Sequence, residues 1–174
     1  MDECRIRIAA AGDIHFGERV NDRERAAEAF GALADRADLV LLAGDLTTHG
    51  EPDQAVILAD AVRELSVPVF TVLGNHDWHS NRASEVTAVL EEAGIVVLDR
   101  ATHVLELCGA EVGIVGCKGF VGGFPGSHMP DFGEPLLREV YAESMREVDA
   151  LDAGLREIAR RPSSSAATSS IPSA

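Results

Sequence analysis

Basic residues are scarce in this chain. Its 174 residues carry 15 Lys and Arg against 29 Asp and Glu, a formal net charge of −14. Such a surface has no surplus cations to release phosphate counterions, which excludes general nucleic-acid binding. It does not exclude a phosphate substrate, because a bound metal ion reverses the local field. Long apolar runs are missing too. None approaches the roughly 20 residues that span a bilayer. The opening Met1-Asp2-Glu3-Cys4-Arg5-Ile6-Arg7 puts charges where a leader peptide needs an apolar stretch. The expectation is a cytoplasmic protein with no membrane partner. Cysteine is sparse: Cys4, Cys108 and Cys117 are odd in number, widely spaced and form no CxxC pair. Neither a disulfide framework nor a zinc knuckle is indicated, and buried small hydrophobes are the simplest reading. The glycine-rich stretch 116–126 contains neither Gly-Lys-Ser/Thr nor GxGxxG, so P-loop and dinucleotide-binding readings fail on spacing.

What is present is globular. A hydrophobic fraction of 46% with 25% charged residues rules out a disordered chain, and the length suits a single buried core. Apolar runs at 6–11, 39–43 and 67–73 alternate with helical patterns at 21–36, 51–65 and 84–93. Asn21 or Asp22 can cap the first helix, and Gly94 can stop the third. The runs are nearly continuous, as in strands buried on both faces of a parallel sheet. Repeated strand–helix–strand units imply an α/β layered fold. Residues 95–98, 103–107 and 111–117 read as short strands in a meander. A glycine-rich loop over 116–133 and a helix over 134–160 follow. Residues 1–161 read as one domain. Residues 162–174 contain six Ser and no charge, a low-complexity tail unable to build a core.

Each of the first three strands ends in glycine followed by metal-ligand residue types: Gly12-Asp13-Ile14-His15, Gly44-Asp45, and Gly74-Asn75-His76-Asp77. Asp13 and Asp45 are 32 residues apart, Asp45 and His76 31, about one βα unit each. All three loops therefore emerge on one sheet edge, where α/β folds bind ligands. Asp and Asn oxygens with imidazole nitrogens suit Mn, Fe or Zn. Asp13 and His15, two apart, point the same way if that segment is extended. Asp45 has two oxygens and can bridge a metal pair, and a di-metal site suits phosphoryl displacement.

These blocks resemble, in order, the first three motifs of the calcineurin-like metallophosphoesterase superfamily, over residues from about 5 to 160. The resemblance implies a four-layer α/β/β/α sandwich, a centre of two divalent metal ions (Mn, Fe or Zn), and hydrolysis of a phosphomonoester or phosphodiester. The substrate would be a phosphoester small molecule or a nucleotide. By the same resemblance Asp13 and His15 bind the first metal, Asp45 bridges, and Asn75 binds the second. Asn75 and His76 contact substrate, His76 protonates the leaving oxygen or stabilises the transition state, and Asp77 orients His76. The superfamily pattern continues with a strand ending in a metal-binding histidine and a Gly-His-x-His block. Neither follows here. The expectation is a fold whose C-terminal part is missing, with both metals short of histidine ligands and activity impaired. Two further readings follow from that shortfall: a non-catalytic module using the same fold as a binding surface, or a chain that is not stably folded alone.

The remaining histidines carry less. His49, four residues past Asp45, suits either a site wall or a surface loop. Trp78 and His79 read as packing more simply than as a pocket, and His103 as structural. His128 lacks a strand-end context. The Glu-rich helix faces read as solvated surface.

Overall fold

The computed structural model describes residues 5–119, 123–124, 127–128 and 134–161. The low-complexity tail expected at 162–174 lies outside the described residues.

Four strands form a parallel sheet in the order β1 (Ile8–Ala11), β2 (Leu39–Ala43), β3 (Val69–Val72) and β4 (Val96–Val97). The register pairs Ile8 with Leu39, Val40 with Val69 and Phe70 with Val96. Helices α1 (Asp22–Gly31), α2 (Pro52–Val62) and α3 (Ala83–Glu92) connect them. Alternation along each strand sorts the two faces. Val40, Leu42 and Val69 join Phe30, Leu58, Val86 and Leu90 in the helix-side core. Leu39, Phe70 and partly buried Leu41 face the other way. Leu58, Val86 and Leu90 are fully buried, each worth about 1.5–3 kcal/mol over exposure.

The second face is covered by a hairpin, β5 (Ala101–Leu107) and β6 (Ala110–Gly116), whose Leu105, Leu107, Val112 and Ile114 pack against Leu39 and Phe70. His103 sits in this layer, its ring 4.8 Å from that of Phe70. The hairpin's outer face carries the long helix α4 (Pro135–Ala159). A Cβ at Gly154 would lie 2.7 Å from Val115 Cγ1 and 2.9 Å from Thr102 Cγ2, so glycine lets α4 approach the sheet closely. Arg100 donates to both Glu143 and Glu147 of α4. The result is the expected α/β/β/α sandwich. Backbone pairing also joins 123–124 to 127–128 as β7 and β8, inside the stretch read as plain loop. The side chain of His128 lies outside what is described.

Local chemistry explains most boundaries. Pro52 opens α2 at a position where its missing N–H costs nothing. Gly94, at φ 86°, closes α3 with Gly94 N–H to Glu91 O and Ile95 N–H to Leu90 O, the paired bonds of a Schellman stop. At α1, Asn21 makes no side-chain cap. Asp22 instead accepts from the N–H groups of Gly17 and Arg19, anchoring the preceding loop. Two expectations are corrected. Val96–Val97 extends the parallel sheet through β3 and does not begin a meander. Cys108, in the β5–β6 turn, is disulfide-bonded while Cys117 is free, so the cysteines are not all buried small hydrophobes. Among the described residues, no helix is long and apolar enough to cross a membrane.

Candidate metal centre

The three glycine-led loops leave the carboxyl ends of β1, β2 and β3 and are stitched together by their backbones. Asp13 N–H donates to Gly44 O (3.2 Å), His15 N–H to Asp45 O (3.0 Å) and Phe16 N–H to Leu46 O (2.9 Å). Thr48 N–H returns to Phe16 O (3.0 Å), and the Thr48 hydroxyl to His15 O (3.0 Å). Asp13, His15 and Asp45 all adopt left-handed backbone, at φ 54°, 49° and 50°. The 11–16 segment is therefore not extended at Asp13 and His15. The two side chains still meet, with Asp13 Oδ1 3.9 Å from His15 Nε2.

The second and third loops touch as closely as atoms allow. A Cβ at Gly74 would lie 2.1 Å from Asp45 Oδ1 and 2.3 Å from Asp45 N. Only glycine fits there. His76 N–H donates to Asp45 Oδ1 at 2.9 Å. Potential ligand atoms of His15, Asp45 and His76, all half-buried, lie within 4.8 Å of one another. The His15 and His76 rings meet edge to face at 4.4 Å, and the His79 ring lies 4.6 Å from that of His76.

His76 Nδ1 sits 2.9 Å from the Thr48 carbonyl oxygen. A carbonyl only accepts, so Nδ1 carries a proton and Nε2 is left for the site. The partner that orients the ring is thus Thr48, not Asp77 as expected. Asp77 is fully buried and turned towards the second loop. Its Oδ1 accepts from Thr47 N–H (2.8 Å) and the Thr47 hydroxyl (2.7 Å). Its Oδ2 accepts from Leu46 N–H (3.2 Å) and Gly74 N–H (2.9 Å). It ties two loops together from beneath the site.

Asp13 stands at the rim with its side chain 84% exposed. Asn75 is exposed between Gly74 and His76, where its side chain caps nothing. His49 is exposed, its N–H bonded to Gln54 Oε1. Sequence reasoning missed Thr47, Thr48 and Gly50. Gly50 N–H donates to the Thr47 hydroxyl at 3.0 Å. The available signal was a run of small hydrogen-bonding residues directly after Gly44-Asp45.

The imidazoles of His15 and His76 and the carboxylate of Asp45, with the Asp13 carboxylate at the rim, are residue types that could hold a divalent metal ion. Over 54 residues the chain is 48% identical to a protein of Synechococcus sp. named as a probable cyclic nucleotide phosphodiesterase. That match takes in 30% of this chain and spans only 21% of the relative's length. A model of the calcineurin-like phosphoesterase family matches residues 6–120, the stretch that supplies all three loops. The chain belongs to the calcineurin-like phosphoesterase family.

Proposed function

We propose that this site hydrolyses a phosphomonoester or phosphodiester with the help of two divalent metal ions. The observation that carries the proposal is the convergence of His15 and Asp45, two metal-ligand types, with the imidazole of His76, their polar atoms within 4.8 Å of one another at the carboxyl edge of a parallel sheet. Asp13 and His15 would hold one ion, Asp45 would share its carboxylate between both, and Asn75 would contribute its amide oxygen to the second. Ions held there supply positive charge for the phosphoryl oxygens and lower the pKa of water.

The chain's own residues do the rest. Asp45 is fixed by the His76 N–H and keeps its other oxygen for ligation. His76, held through its Nδ1–H on the Thr48 carbonyl, would act as the imidazolium, giving its Nε2 proton to the departing oxygen and remaining as the neutral Nδ1–H imidazole. Asp77 holds the second and third loops at the spacing this needs. Asp13 and Asp45 belong to the chain's acid excess, and ligation neutralises them where a phosphate must approach.

The test combines calorimetric Mn²⁺ titration with turnover of p-nitrophenyl phosphate and its bis ester. Asp45→Ala is expected to lose both metal binding and turnover. His76→Ala should retain Mn²⁺ while turnover falls about 10²–10⁴-fold, the usual worth of a positioned proton donor. Chelation should lower the melting temperature, since Mn²⁺ at 100 times its Kd stabilises by about 2.7 kcal/mol. Unchanged turnover in both variants would sink the assignment. Absence of Mn²⁺ binding by the unsubstituted chain would favour the binding-module reading.

A further inference from the structure

Beside the metal centre lies a groove of about 570 Å³ at the carboxyl ends of β3 and β4. Its size falls in the range of small-molecule sites. Leu73 and Leu98 give it apolar lining, Trp78 an indole, Asp99 and Glu91 of α3 carboxylates, and Lys118 an amine. Trp78 is the chain's single tryptophan and Lys118 its single lysine, against 14 arginines.

The link to the metal centre is one short turn. His76–Trp78 is a single 3₁₀ turn. His76 at its start meets His15 and Asp45, while Trp78 at its end lines the groove and is 47% exposed. A phosphoester held at His76 would therefore have its organic portion within reach of this groove. The exposed half of the indole leaves a ring face open for a ligand in the groove. Its flat face suits an aromatic ring, and the neighbouring carboxylate suits hydroxyl donors. A nucleoside offers both.

We propose that the groove binds the nucleoside of a nucleotide substrate, with Trp78 stacking on the base and Asp99 accepting from the sugar hydroxyls. The proposal rests on the phosphoesterase reading for its catalytic consequence, and the binding measurement stands apart from it. Trp78 is its own reporter, since no other tryptophan contributes to the fluorescence. Adenosine and adenosine monophosphate should quench it saturably, whereas inorganic phosphate should not. Quenching by adenosine should persist in Asp45→Ala, which keeps the groove and loses the metal ligand.

For hydrolysis, the KM of adenosine 3′,5′-cyclic monophosphate is compared with that of glycerol phosphate. Trp78→Ala should raise the ratio of the two roughly 5- to 150-fold, the equivalent of a base–aromatic stack of about 1–3 kcal/mol. Trp78→Phe should restore most of it. Absence of quenching by adenosine, or an unchanged KM ratio in Trp78→Ala, would overturn the proposal. Saturable quenching without hydrolysis of either substrate would leave the groove assignment standing and remove the phosphoesterase reading.

Discussion

Replacing Asp77 by Asn separates two roles that the sequence cannot distinguish. The carboxylate is fully buried and accepts four hydrogen bonds from Leu46, Thr47 and Gly74. Asn is nearly the same shape but has one acceptor oxygen. With that oxygen facing Thr47, the amide N–H₂ meets the backbone N–H groups of Leu46 and Gly74. With the amide flipped, the Thr47 hydroxyl can rotate to accept, and only the Thr47 N–H is stranded. The flipped arrangement is the cheaper one. A stranded buried donor costs about 1–3 kcal/mol. Loss of charge assistance in the remaining bonds adds about 1–2 kcal/mol. The expected destabilisation is about 3 kcal/mol, or a melting temperature lower by about 6–12 °C for a chain of this size. Urea denaturation followed by circular dichroism measures it. The same variant should weaken Mn²⁺ binding, because Asp77 holds the loop that carries His76 against the loop that carries Asp45. If Asp77 instead oriented His76, Asn would shift the pH profile of turnover and leave stability nearly untouched. A destabilisation under about 0.5 kcal/mol would refute the loop-tie argument.

Three other outcomes follow from the same geometry. Gly74→Ala puts a methyl 2.1 Å from Asp45 Oδ1 and 2.3 Å from its backbone nitrogen. Overpacking of this kind costs about 1–3 kcal/mol, and Mn²⁺ calorimetry should show the loss of affinity that accompanies displacement of Asp45. At Asp13, φ is 54°, so Asp13→Gly should be more stable than Asp13→Ala by about 1 kcal/mol, reversing the usual order, as read from urea midpoints. The Arg7 guanidinium and backbone N–H hold the Asp38 carboxyl down at about 2, below its ordinary 3.8. A depressed carboxyl stabilises the fold above its unfolded value and loses that contribution as pH falls through the folded one. The stability gap between the unsubstituted protein and Asp38→Asn should be constant above pH 4 and close between about pH 4 and 2, measured by denaturant titration at each pH.

Strands β2 and β3 were legible because burial on both faces leaves an unbroken apolar run, as in Leu39–Ala43; β1 is equally apolar in sequence yet largely exposed at the sheet edge. Gly94 was legible because a helix stop needs a residue that tolerates positive φ. Val96–Val97 was not. Two residues carry no periodicity, and their neighbour in the sheet is decided by α3 returning the chain beside β3. At the site, the residue types at 13, 15, 45 and 76 were enough to point to one sheet edge. What holds them there was hidden. The Asp77 contacts with Leu46 and Thr47 reach back 31 and 30 residues, whereas a local reading hands a carboxylate to the imidazole next to it. Thr48 was hidden for a different reason. It acts on His76 through its carbonyl oxygen, a group every residue has.

The left-handed backbone at three of the proposed ligand positions bears on why the motif uses the residues it does. Asp13, His15 and Asp45 all lie near φ 50°, a region closed to β-branched side chains and open mainly to Gly, Asn, Asp and His. Glycine tolerates the conformation but cannot ligate. Other residues reach this region too, as Arg100 at φ 48° and Cys108 at φ 58° do in turns, but without the short polar branch that eases it. Asp and His satisfy both demands, so ligand chemistry and chain direction select the same residue types. Each such residue costs of order 1 kcal/mol and persists only where surrounding contacts impose it. Here those contacts are the cross-loop bonds from Asp13 to Gly44 and from His15 to Asp45, and the buried carboxylate of Asp77 beneath them. These contacts fix the backbone at the proposed ligand positions, the preorganisation that the proposed phosphoryl transfer would call for.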